Sequence, residues 1–301
     1  MAAVEAAAPS VRPTSMLMVL AISVLIGLLY VPLLYWLGSV TLRTQQLLNG
    51  ALLVVIALAM CVRDAVYDLR PAPQISNQGI GLVALALGCL WVGARWHSWL
   101  LPLFVLSACL SFAGVVSFFF GRIGARQFLP ALAAFFVFGV LAGLVPTLDW
   151  PLRAMAARYA GGLLMAMGSS VKIALERGQP PQLLLYVKDR VFVVATECNG
   201  FGLLTSALIV ATILAFQNRL RWVEKLSLWA VSIPIAIGFN FLRIVSICLV
   251  APRTTLPYGF VHETLGLVFY FAGLGLIWKV GGRYKPSSRG RAETPRVMGN
   301  S

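Results

Sequence analysis

Three side chains in this sequence have the types that nucleophilic acyl transfer requires: a thiol at Cys198, an imidazole at His262 and a guanidinium at Arg243. An unperturbed thiol titrates near pH ~8.5 and is mostly protonated at neutral pH, so a neighbouring imidazole or guanidinium is needed to hold it as the attacking thiolate. An imidazole can take the thiol proton and later return it to a departing amine. Arginine keeps its charge, and its useful roles are to stabilise the thiolate and to donate hydrogen bonds to a developing oxyanion. Cys198 sits in a polar turn with Glu197 and Asn199, followed by Gly200 and Gly202, which let the backbone bend sharply. Asn240 precedes Arg243 on the same helical face, Glu263 follows His262, and Gly266 lies one turn further on.

The elements that must position these groups are membrane helices. Hydrophobic residues make up 59% of the 301 residues, charged residues 11%, and the mean hydropathy is +0.87. A soluble globular chain would carry roughly a quarter charged residues. Eight apolar spans are expected, at 16–37, 47–62, 79–94, 99–120, 127–146, 201–216, 226–250 and 258–280. The first five have no Asp, Glu, Lys or Arg in their interiors, as hydrocarbon requires. The first is longer than a signal-peptide apolar region and has no clear cleavage site, so it reads as retained. The expected organisation is a disordered leader at 1–15, a single multi-pass domain at 16–280 and a basic cytoplasmic tail at 281–301.

Orientation follows from the short loops. Arg63, Arg70, Arg122, Arg126, Arg219, Arg221 and Lys225 fall on one side with the tail, against only Arg43, Arg95 and Arg253 on the other. Positive charge marks the cytoplasmic side, so both termini face the cytoplasm and the 147–200 segment lies outside with Cys198. The net charge of +14 is dispersed over these loops and the tail, which argues against a nucleic-acid-binding face. Within the long segment, 151–168 reads as an interfacial helix whose apolar face is Leu152, Met155, Tyr159, Leu163 and Met167. Two runs around Gly178, Pro180 and Pro181 favour a hairpin or short strands at the membrane face, with an ordinary loop as the alternative.

The motifs T-E-C-N-G at 196–200, N-F-L-R at 240–243 and H-E-T-L-G at 262–266 together resemble the exosortase/archaeosortase family of multi-pass membrane enzymes. The resemblance implies a catalytic set of Cys198, Arg243 and His262, with Glu197, Asn199, Asn240 and Glu263 in supporting places. It also implies an inner-membrane cysteine peptidase or transpeptidase with its site on the extracytoplasmic face. Its substrates would be exported proteins with a C-terminal Pro-containing motif, a transmembrane helix and a basic tail, transferred to a surface acceptor through a Cys thioester. The chain departs from the pattern where many members carry an Arg shortly after the Cys motif and this one reads Phe201-Gly202.

Each residue also has a plainer reading. Cys61, Cys89 and Cys109 read as inert core thiols; Cys198 could instead pair with Cys248; Arg243 could snorkel to the interface. His97, between Trp96 and Trp99, reads as part of an aromatic belt. Two other functional classes remain open. A transporter or lipid flippase would use Arg243, Glu263 and His262 as a substrate or proton path, and a noncatalytic assembly factor would tolerate loss of Cys198. No nucleotide loop or metal-ligand spacing occurs, so neither cofactor nor metal is expected.

Overall fold

The computed structural model describes residues 13–68, 76–96, 99–176, 182–187, 190–194 and 199–284. Glu197, Cys198 and His97, most of the expected leader and nearly all of the tail lie outside the described residues. Apolar helices dominate, as the composition dictates: α1 (Pro13–Leu29), α2 (Val31–Arg43), α3 (Gln45–Asp68), α4 (Asn77–Arg95), α5 (Leu100–Gln127), α6 (Leu129–Ala166), α7 (Phe201–Gln217), α8 (Trp222–Val250) and α9 (Tyr258–Gly281). Six of them are long and apolar enough to cross a bilayer, and α1 with α2 makes a seventh span bent by 46°. The 17-residue α7 is a shorter apolar helix. Each of the eight expected spans therefore has a helix or a bent pair in its place.

The long segment departs from expectation at its start. No separate interfacial helix follows the fifth span; α6 runs for 38 residues straight through Pro146 and Pro151. At ~1.5 Å per residue that is about 57 Å, nearly twice the ~30 Å hydrocarbon thickness, more than a crossing needs. Proline is compatible with helical φ, but inside a helix it removes one hydrogen bond and crowds the carbonyl four residues back, a local cost that α6 bears at both positions.

The strands expected after it are present: β1 (Val171–Glu176), β2 (Gln182–Val187) and β3 (Arg190–Val194) form an antiparallel sheet in sequence order. Val171 pairs with Val187, and Leu185 with both Ile173 and Phe192.

The face of α6 that packs on protein is its small-residue face, not the face of large apolar residues read from the sequence. Tyr159, Leu163 and Met167 are exposed, while Ala156, Ala157, Ala160 and Leu164 are buried against Leu185, Phe192 and Val194 of the sheet and Ile244 of α8. Leu152 and Met155 are half-buried. Small side chains win the inner face because a sheet can approach a helix closely only over Ala and Gly. The large residues then remain outside, where apolar surface is compatible with lipid. Each fully buried Leu or Phe in this layer contributes roughly 1.5–3 kcal/mol.

The chain divides into two compact units, one comprising residues up to Gly38 with Leu58–Phe136, the other Ser39–Ala57 with the remainder from Val137. In the first, Tyr30 at the α1–α2 bend lies buried with Leu33, Val105 and Cys109. Its hydroxyl meets Ser107 Oγ at 2.6 Å and Ser111 Oγ at 2.9 Å, and Ser107 donates to the Ala86 carbonyl at 2.7 Å. The second unit has two clusters, the sheet layer above and a helical core of α7, α8 and α9 around Ala207, Ala211, Leu228, Ala236 and Ile277.

Candidate active site

The site is assembled where α7 begins. Gly200 caps that helix with φ of +83°, a left-handed conformation that glycine adopts without strain. A Cβ at this position would also lie 2.8 Å from Cγ and Nδ2 of Asn240, so only glycine lets α8 close on the turn. Asn199, 3% exposed, is held at both ends of its amide. Its Oδ1 accepts from the Phe201 N–H at 2.7 Å, satisfying a first-turn donor of α7, and its Nδ2 donates to Asp149 Oδ1 at 2.6 Å. Asp149 in turn pairs with Arg153 one turn along α6. A carboxylate accepts only, so it fixes which end of the Asn199 amide faces it.

One helical turn of α8 then links this turn to α9. Asn240 faces the Asn199–Gly200 turn and is buried, while Arg243, on the same face, extends toward α9. Its Nη2 lies 3.3 Å from His262 Nε2. Gly266, one turn beyond His262, makes room for the guanidinium: a Cβ there would meet Arg243 Nη2 at 3.2 Å and Nε at 3.3 Å. His262 is steadied from the other side by Tyr258, whose ring centroid is 5.8 Å away, and Tyr258 packs against Phe192 of β3 at 6.4 Å. An Arg in a membrane span costs at least ~2.5 kcal/mol unless compensated, and the imidazole is one partner that offsets that cost.

That chamber has a volume of about 560 Å³. Gly200, Asn240, Arg243, His262 and Glu263 share its wall with the first turns of α3. A sequence model of the transmembrane exosortases matches residues 41–279, which takes in every element of the chamber. The chain belongs to the transmembrane exosortase family. No curated protein and no solved structure matches it. Membership places it among membrane-embedded cysteine-type transpeptidases and proteases that act on sorting signals.

Of the residues singled out in the sequence, the fold brings together Asn199, Asn240, Arg243, His262 and Glu263; Glu197 and Cys198 lie outside the described residues. Arg243, read from the sequence either as a site residue or as a snorkelling one, reaches across to His262 on α9. Cys109 and Cys61 are buried as expected of core thiols, and Cys89 is half-buried. Cys248 lies in the apolar sheet layer, 3% exposed. No group of three or more His, Cys, Asp or Glu arranged to hold a metal occurs among the described residues. Sequence reasoning missed Asp149, Arg153, Gln45 and Asn49. Asp149 had one signal, being the lone acid in α6 with an Arg four residues later.

Proposed function

We propose that this exosortase is a cysteine transpeptidase or peptidase in which Cys198 is the nucleophile, His262 the proton carrier and Arg243 the electrostatic stabiliser. The observation that carries the reading is the 3.3 Å contact between Arg243 and His262 in a chamber walled by Gly200, two residues from Cys198. Arginine has no acceptor, so His262 Nε2 must accept and the ring hydrogen is inferred to sit on Nδ1. Nε2 is then the ring's one acceptor, shared with the guanidinium until the thiol proton reaches it.

In the reaction the Cys198 thiol gives its proton to His262 as sulfur attacks the scissile carbonyl, whose C=O electron pair moves onto oxygen. Two cations side by side repel, so once His262 is charged Arg243 turns its N–H groups to the oxyanion or thiolate. Collapse of the tetrahedral species breaks the C–N bond, and His262 returns its proton to the leaving amine. A thioester remains on Cys198, and water or an acceptor amine attacks it, releasing the acyl group and restoring the thiol. The substrates are exported proteins whose C-terminal signal joins a short Pro-containing motif to a membrane helix and a basic tail, and the site faces the extracytoplasmic side. Asn199, Asn240 and Glu263 support the set, and Glu197 adjoins the nucleophile.

Co-expression with a tagged cognate substrate should yield a thiol-sensitive adduct at Cys198 by mass spectrometry, and Cys198→Ala and His262→Ala should abolish processing by several orders of magnitude. Normal cleavage by a well-expressed Cys198→Ala variant would overturn the reading and restore the assembly-factor or transporter alternative. For orientation, Lys172 is exposed on β1. A Lys172→Cys variant should react with a membrane-impermeant maleimide added outside; labelling only from the cytoplasmic side would reverse the topology.

A further inference from the structure

The chamber has a second polar wall opposite in chemistry to the first. Gln45 and Asn49, one turn apart on α3, line it together with Gln46, and both Gln45 and Asn49 are exposed within the protein. They are uncharged amides on a helix otherwise apolar enough to cross a bilayer. An amide facing hydrocarbon without partners costs several kcal/mol, so a pair of them on one face belongs where water or a ligand meets them. The backbone architecture brings this wall to the site. At Gly202, in the first turn of α7, a Cβ would lie 3.0 Å from the Gln46 carbonyl oxygen, so α3 and α7 touch main chain to main chain two residues from Gly200. Between the two walls the lining is apolar, from Leu203, Phe239 and Phe269.

We infer that Gln45 and Asn49 bind the main chain of the donor polypeptide beside its scissile bond, as substrate-positioning residues for the reaction proposed above. The chemistry selects this ligand. A carboxamide offers one acceptor and two donors, so each can take a peptide N–H and give to a peptide C=O at once, which no charged side chain does. Two such groups one helical turn apart, ~5–6 Å between Cβ atoms, come close to the ~6.6 Å between alternate residues of an extended strand, a gap that flexible side chains span. The volume of about 560 Å³ lies within the roughly 300–1,000 Å³ usual for small-ligand sites and suits a few extended residues. Reading a main chain tolerates varied side chains. That is what an enzyme working on several exported proteins needs.

The inference rests on the proposed function, and its test separates the two. Full-length enzyme in detergent would be given a fluorogenic peptide spanning the cleavage site, with Gln45→Met, Asn49→Leu and the double variant beside wild type. Losing one hydrogen-bonding amide should raise KM about 3- to 10-fold and losing both about 30-fold, with kcat within about 2-fold of wild type. The swapped variant Gln45→Asn with Asn49→Gln, which keeps both amides, should recover most of the affinity and controls for folding. An unchanged KM, or a fall confined to kcat, overturns the inference. So does normal formation of the Cys198 adduct with slowed resolution by an added amine, because the amides would then serve the acceptor. Absence of a Cys198 adduct in wild type would instead sink the proposed function itself.

Discussion

The two compact units solve the same problem, polar groups among apolar helices, in different ways. In the first unit the buried polar groups named above are hydroxyls, and Tyr30, Ser107 and Ser111 satisfy one another and a helix carbonyl without any charge. In the second, Arg243, His262, Glu263 and the buried amide of Asn240 line one chamber, and behind its Gly200 wall the Asp149–Arg153 pair holds Asn199 through a bond that bridges 50 positions of sequence. Hydroxyls are cheap to bury because they satisfy themselves locally, while charges must be compensated by partners brought from elsewhere. The first unit thus reads as scaffold and the second as the place where that cost is accepted for chemistry.

The contrast can be pressed at three points. Arg243→Lys keeps the charge but loses the planar fork that reaches His262, and should reduce kcat/KM about 100-fold in the fluorogenic assay. A variant that folds and retains wild-type rate would remove Arg243 from the chemistry and blur the distinction between the units. Asp149→Asn preserves shape and removes the charge shared by Arg153 and Asn199. As a positioning residue acting through the Asn199 turn, its loss should lower kcat about 10-fold with KM unchanged. Loss of thermal stability alone, with kcat intact, would make the Asp149 network scaffold like that of the first unit. Tyr30→Phe should cost about 1 kcal/mol, visible as a Tm lowered by roughly 2 °C in detergent, and leave turnover within about 2-fold. A large drop in turnover would show that the hydroxyl cluster acts on the chemistry after all.

What could be read from the sequence was local in origin. Span positions are set by runs of apolar residues, which hydropathy reports directly, and the strands at 171–194 by their β-favouring runs around Gly178 and Pro180. The Arg243–His262 partnership was legible because an Arg and a His in membrane spans are each conspicuous. The inner face of α6 was not, since periodicity of large residues says which face is apolar but not whether lipid or protein covers it. Tyr159 and Leu163 took the lipid-compatible side, and Ala157 and Ala160 went to the sheet. Nor does spacing announce that Asp149 meets Asn199, or that Gln45 and Asn49 share a wall with His262. Each of those residues is ordinary in its own neighbourhood.

One rod, α6, grips the chain on both sides of Cys198. Upstream, Val194 is buried in the layer that holds Ala156 and Ala160; downstream, Asn199 is tied to Asp149. One helix thus fixes the described residues that flank the nucleophile's segment on either side, so a substitution that disturbs how α6 packs against the sheet is expected to reach the site as well as the fold.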